Sequence, residues 1–191
     1  VDEQDTEFAL DTLADGVAAA GVDGLWVHAR KAWLKGLSPK ENRTVPPLDY
    51  ERVRRLKRRL PGLFIGINGG IASAEAGIIH LGRVDGVMLG RAAYHEPMQL
   101  LQADRLYFGD VAPTQNVAAV IEAMAEYAER HIASGGRLSH VTRHMVGMFH
   151  GQPGARRFRQ ILSTDASKPG AGPEVLFRAF EALAVLEQAA E

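Results

Sequence analysis

Three places in the first half of this 191-residue chain join polar or glycine residues directly to a short apolar run. They are His28-Ala29-Arg30-Lys31, Asn68-Gly69-Gly70 and Gly90-Arg91. Glycines at such junctions let backbone N–H groups approach phosphate oxygens closely, because no Cβ intervenes. An arginine beside them adds a charge-assisted hydrogen bond. Gly69-Gly70 alone is equally compatible with a tight turn; the second junction, Gly90-Arg91, favours phosphate. His28 stays open, because neutral imidazole can hydrogen-bond a cofactor ring or a phosphate, whereas imidazolium can pair with phosphate. A second chemistry is basic. One group, Arg30, Lys31, Lys40 and Arg43, follows His28; the other, Arg137, His140, Arg143, His144, Arg156, Arg157 and Arg159, lies in the tail. Arg156 and Arg159 stand three apart and share a helix face, able to straddle phosphates or stack on a base. For any one of these residues a solvated basic face is the alternative.

Such residues need a scaffold that gathers strand ends. Phe8, Leu10, Leu13, Val17 and Ala20 recur at helical spacing, and Gly21 can close that helix. Gly24–His28 reads as a buried strand, with Trp26 in its core. A polar loop runs to about Pro47, where Trp33 either packs the loop down or lies near substrate. Asp49 caps a helix through Leu60, stopped by Pro61-Gly62. Its run Arg52, Arg54, Arg55, Lys57, Arg58 and Arg59 reads as a solvated outer face behind the strands. Leu63–Ile67 is the next strand, Ser73 starts a helix ending near Leu81, and Asp85–Leu89 is a third strand. Continuous apolar strands alternating with helices predict an α/β fold, a parallel sheet covered on both faces. In such folds the ligand sits at the C-terminal strand ends, and in a barrel the last two βα loops hold phosphate.

The pattern changes near residue 110. Helices are predicted over Val117–Ile132, Leu138–Phe149, Ala155–Leu162 and Glu174 to about Ala190, with Met145, Met148 and Phe149 in their core. The expected organisation is therefore 1–110 as α/β and 111–191 as an all-α helical bundle. Three strands make a small sheet, so the βα units read as the last part of a larger barrel or doubly wound sheet. A fragment of a longer protein is expected, rather than a chain completed by a second copy.

Composition sets limits. A hydrophobic share of 46% is enough to bury a core. The formal charge of −1 advertises no nucleic acid, although a local arginine stripe can bind it within a neutral chain. There is no cysteine, hence no disulfide, thiolate metal site or thiol nucleophile in this chain. That suits a reducing cytoplasm, the expected location. No apolar run approaches the roughly 20 residues of a bilayer span, so no membrane role is expected, and no metal site is either.

Several motifs carry a resemblance. Val27-His28-Ala29-Arg30-Lys31-Ala32-Trp33-Leu34 is followed by Gly36-Leu37-Ser38-Pro39-Lys40-Glu41-Asn42-Arg43. Next come Pro46-Pro47-Leu48-Asp49-Tyr50, Ile67-Asn68-Gly69-Gly70 and Asp85-Gly86-Val87-Met88-Leu89-Gly90-Arg91. The tail adds Thr142-Arg143-His144-Met145 and Gly151-Gln152-Pro153-Gly154-Ala155-Arg156. In this order, over nearly the whole chain, they resemble the A subfamily of bacterial tRNA-dihydrouridine synthases. The resemblance implies the C-terminal part of a (β/α)₈ TIM barrel with FMN at its C-terminal face, followed by a helical domain that grips tRNA. It implies reduction of uridine to dihydrouridine at positions 20 and 20a of the tRNA D-loop. NADPH is the implied reductant, hydride goes to C6 of a flipped uracil, and a cysteine protonates C5. By motif, His28, Asn68, Gly69, Gly70, Gly90 and Arg91 match FMN-contacting positions, chiefly for its phosphate and ribityl part. Lys40, Arg43, Arg156 and Arg159 match tRNA-contacting ones.

The departures matter equally. The family's catalytic cysteine belongs to an earlier strand-end loop, and this chain has no catalytic residue of its own. The family's flavin-binding lysine and the glutamine at the isoalloxazine are absent too. The chain alone is expected to be inactive, and the full-length protein to be a monomer. Rival readings are an FMN-dependent barrel oxidoreductase of a small molecule, a non-catalytic tRNA-binding module, and a fragment that does not fold alone.

Overall fold

The computed structural model describes residues 3–110 and 116–187, and it divides into two compact units, Val1–Arg91 and Ala92–Glu191. In the first unit, helix α1 (Thr6–Ala19) starts at Asp5, whose carboxylate accepts from Phe8 N–H at 2.9 Å. Strand β1 (Gly24–His28), helix α2 (Tyr50–Arg59), strand β2 (Phe64–Asn68), helix α3 (Ala74–Ile78) and strand β3 (Gly86–Met88) follow. Asp49 and Ser73 cap α2 and α3, accepting from Arg52 N–H and Ala76 N–H. The helix from Ser73 is shorter than its apolar pattern suggests, because Ile79–Gly82 turns instead of continuing.

The strands form one parallel sheet in the order β1-β2-β3. Register aligns Val27 with Ile67 and Ile67 with Val87, and it brings His28, Asn68 and Met88 level at the C-terminal ends. Side chains alternate between faces. Val27, Ile65 and Ile67 pack on Ala14 of α1 and on Val53 and Leu56 of α2. The opposite face corrects two expectations: it is not covered, and Trp26 is not core but 49% exposed. Trp26 spreads over two glycines. A Cβ on Gly66 would stand 2.2 Å from its Cε3, and one on Gly86 2.9 Å from its Cη2. Phe64 meets its ring edge-on at 5.5 Å.

The basic run of α2 is also corrected. Arg55, Arg58 and Arg59 are exposed as expected, but Arg52 is buried, and Arg52, Arg55 and Arg59 mate with an acidic row on α1. Arg52, only 5% exposed, bonds Glu7 at 3.1 Å and Asp11 at 2.7 Å, and its guanidinium also donates to the Glu7 carbonyl. Arg55 pairs with Glu7, and Arg59 with Asp11 and Asp15. Lys57 turns to Asp85 at 2.7 Å. Spacing within one segment shows the positive row, but not the negative row that faces it some 45 residues away. Asp85 also accepts from Ile65 N–H at 2.8 Å, tying β2 to the start of β3. Burial pushes its carboxyl upward, yet the Ile65 bond and the Lys57 ammonium outweigh that and hold it below the ordinary value.

In the second unit, α4 (Arg91–His95), a 3₁₀ turn (Pro97–Gln102) and α5 (Ala103–Phe108) fill a stretch to which the sequence pattern assigns no element. Then come α6 (Val117–Ala133), α7 (Leu138–Thr142), α8 (Ala155–Thr164) and α9 (Glu174–Glu187). The expected end of the last helix, 188–190, lies outside the described residues. Ile121, Ala125, Leu138, Val141, Phe158, Leu162 and Leu176 form the core, and Met98 packs against it. Gly147 sits against the backbone carbonyls of Tyr94 and His95. Residues 92–108 therefore belong to the helical unit, so the division falls before the change of pattern near 110. The helix expected over Leu138–Phe149 ends at Thr142. Successive three-residue turns, such as Met145 N–H to Thr142 O at 2.9 Å and Met148 N–H to Met145 O at 3.0 Å, replace it and keep Met145, Met148 and Phe149 buried. Among the described residues no helix is long and apolar enough to cross a membrane.

Two outcomes follow from this packing. Arg52→Ala removes a buried guanidinium and its bonds to Glu7 and Asp11, which keep Arg55 and Arg59 as partners, and should lower unfolding free energy by about 1–3 kcal/mol in urea titration. His80, 2% exposed, is held below its ordinary pKa by burial and by nearby Arg54 and Arg83. The unfolded chain then takes up a proton that the fold refuses, so stability should fall as pH drops below about 6.5. Melting of His80→Phe at pH 7.5 and 5.5 should show a smaller acid loss than the parent.

Candidate functional site

The C-terminal strand ends meet through Asn68. Its Nδ2 donates to the Met88 carbonyl at 3.1 Å, which turns Oδ1 toward His28 Nδ1, 2.6 Å away. An amide oxygen only accepts, so in the neutral imidazole this orientation puts the His28 proton on Nδ1 and leaves Nε2 an acceptor, without a partner among the described residues. The backbone repeats the link: Ala29 N–H donates to Asn68 O at 2.7 Å. His28 is exposed on this side and Asn68 is half-buried.

Beyond Asn68 the chain turns through Gly69 (φ +119°) and Gly70 (φ +66°), a region that disfavours side chains. A Cβ on Gly70 would lie 2.5 Å from Leu48 Cδ1, so the loop is pressed against the segment preceding α2. Tyr50 Oη donates to the Gly69 carbonyl at 2.8 Å. Gly90 and Arg91 follow β3 and are exposed, and Arg91 donates to the Arg43 carbonyl at 3.2 Å. His28, Asn68, Gly69, Gly70 and Arg91 thus belong to one compact unit, at adjacent strand ends. Close-approach backbone and a guanidinium are a donor set suited to a phosphate monoester, and Nε2 of the oriented imidazole can accept from a ligand hydroxyl.

The loop after β1 is braced from within. Asn42 accepts from Trp33 N–H and donates to Trp33 O, both at 2.7 Å, so the Trp33 backbone is clamped. Ser38 donates to Glu41 from backbone and hydroxyl, which holds that carboxyl below its usual range. Arg30 donates to the Pro46 and Thr44 carbonyls, and Lys31 to the Gln4 carbonyl. These two cations hold the loop. Lys40 and Arg43 are exposed, as is Lys35, which pairs with Glu3 at 3.0 Å.

In the helical unit, α8 buries Ala155, Phe158, Ile161 and Leu162 and exposes Arg156 and Arg159 on its other side. Arg157 is engaged with Gln160 at 3.0 Å. Arg143 donates to His144, whose Nδ1 lies 3.1 Å from Tyr94 Oη. His131 and His140 approach to 3.4 Å. Tyr50, Leu48 and Tyr94 escape a spacing argument: their roles come from loop and turn contacts, which carry no periodicity.

The family model described as Dihydrouridine synthase (Dus) matches residues 1–184. The chain belongs to the dihydrouridine synthase family. Among its relatives is a tRNA-dihydrouridine(20/20a) synthase of Shewanella oneidensis, 52% identical over 183 residues, covering 96% of this chain and 55% of the relative. Proteins of the same name from Vibrio cholerae and Xanthomonas axonopodis pv. citri are 47% and 50% identical, over 94% and 95% of this chain and 55% and 54% of theirs. The chain spans about half the length of the curated relatives it matches. The family is a TIM-barrel one, and the three parallel βα units accord with part of such a barrel.

The Asn68 network makes its own prediction. Asn68→Ala removes two side-chain hydrogen bonds, a stability loss of about 1–3 kcal/mol. The ¹⁵N shifts of the His28 imidazole should move from a single Nδ1–H tautomer toward a mixture. Unchanged shifts would dismiss the tautomer assignment.

Proposed function

We propose that this chain carries the FMN-phosphate cradle and part of the tRNA grip of an enzyme reducing uridine to 5,6-dihydrouridine at positions 20 and 20a of the tRNA D-loop. The observation that carries this reading is the junction of His28, Asn68, Gly69-Gly70 and Arg91 at adjacent strand ends in a chain of this family. Positive φ at both loop glycines fits a backbone that a phosphate approaches closely, and the lack of room for a Gly70 Cβ against Leu48 holds that loop in place. His28, Asn68, Gly69, Gly70, Gly90 and Arg91 would hold the phosphate and ribityl part. FMN held there, once reduced by NADPH, would supply the hydride for uracil C6. This chain's residues bind and orient, and having no cysteine they include no thiol to protonate C5.

The open sheet face supports the barrel reading. Trp26, Phe64 and Met88 are exposed together, and side chains of that kind fill the interior of a closed (β/α)₈ barrel. Lys40, Arg43, Arg156 and Arg159 would meet RNA phosphates or stack on exposed bases. Arg91 donating to the Arg43 carbonyl links the cofactor side of the loop to its RNA side. The complete enzyme would act as a monomer in the cytoplasm.

tRNA binding by the purified chain should weaken with salt. Alanine at Lys40, Arg43, Arg156 or Arg159 should each reduce the slope of log affinity against log salt by about one. Salt-independent behaviour, or no tRNA binding, would favour a flavin oxidoreductase of a small molecule. Given FMN, NADPH and tRNA, the chain alone should form no dihydrouridine by mass spectrometry; product would overturn the inactive-fragment part of the reading.

A further inference from the structure

Tyr50 stands behind the glycine loop and is not among the residues so far assigned to ligand. Its hydroxyl donates to the Gly69 carbonyl at 2.8 Å and lies 3.2 Å from where a Gly70 Cβ would be. In a trans peptide the carbonyl of one residue and the N–H of the next point in opposite directions. Holding Gly69 C=O toward Tyr50 therefore turns Gly70 N–H away from it. Among the described residues that N–H has no acceptor. Two glycines with positive φ have many alternative peptide orientations, so the loop alone does not select this one.

Tyr50 itself is anchored. It opens α2 directly after the capping Asp49, whose N–H donates to the Ala29 carbonyl at 2.8 Å. Its ring meets buried His80 edge-on, centroids 4.5 Å apart. Helix α2 is pinned to α1 through Arg52.

We propose that Tyr50 is a positioning residue of the phosphate site, its hydroxyl setting the Gly69–Gly70 peptide plane so that Gly70 N–H faces the phosphate. This rests on the phosphate reading of the loop given above. The role is specific to the hydroxyl, since the ring packs on His80 either way. It also predicts a ligand dependence that packing alone lacks: only the phosphate-bearing form of the ligand should notice the change.

The test compares the parent and Tyr50→Phe by ¹H–¹⁵N titration with FMN and, separately, riboflavin, which lacks the phosphate. In the parent, FMN should shift the Gly70 amide and bind more tightly than riboflavin. In Tyr50→Phe the FMN affinity should fall about 5- to 10-fold, the net worth of one hydrogen bond, while riboflavin affinity stays unchanged and the ligand-free melting temperature falls by only a few degrees. Equal weakening of both ligands would reduce Tyr50 to a structural residue, and unchanged FMN affinity would also overturn the proposal. A parent that does not distinguish FMN from riboflavin would instead remove the phosphate reading, and the role of Tyr50 with it.

Discussion

Asn68 spans three strands with one side chain, donating to Met88 O and accepting from His28. Strand β2 is the only one of the three with a partner on both sides, so its last residue alone can reach both neighbours. An aspartate could not donate to Met88, and a longer amide would overshoot a 2.6 Å contact. The orientation of His28, the level of the strand ends and the start of the glycine loop all follow from that single placement. Asp85 does the corresponding work at the other end, joining Ile65 N–H and the Lys57 ammonium. Central-strand geometry is thus held at both ends by polar contacts, and between them by Ile65 and Ile67, which are fully buried.

Behind the sheet, charge does what apolar area alone cannot. Helices α1 and α2 share the Ala14, Val53 and Leu56 core, but Arg52 meeting Glu7 and Asp11 sets their register. Exposed pairs such as Arg58–Glu51 add little. The largely buried Arg52 is different, because its guanidinium bonds two carboxylates and a backbone carbonyl of α1 at once. On the opposite face Trp26 and Phe64 cover Gly24, Gly66 and Gly86 and remain in contact with solvent themselves. The sheet is therefore polarised, with one face closed by charge-matched helices and the other apolar and open.

Much of this architecture is legible locally. Strand β1 is readable to its exact ends and β2 to within a residue, because apolar runs bounded by glycine, proline or aspartate are short-range signals. The caps Asp49 and Ser73 are equally local. The helix expected through Phe149 failed for a physical reason. Consecutive three-residue turns can bury Met145, Met148 and Phe149 at the same spacing as a helix, so periodicity does not separate the two. The short helices over 91–108 have too few turns to show a period at all.

By itself, the sequence determined which residues end the strands, which carry charge, and that phosphate-compatible chemistry recurs at successive strand ends. Those properties depend on residue type and on neighbours a few positions away. Only the tertiary structure decided what each group does with its charge or its hydrogen bond. It turned Arg52 inward to α1, assigned Arg30 and Lys31 to the loop, left Lys40, Arg43, Arg156 and Arg159 exposed, and set Tyr50 against Gly69. The reason is distance along the chain: these partners lie between 14 and 46 residues apart, and no local pattern encodes a pairing that forms only when the chain folds back on itself.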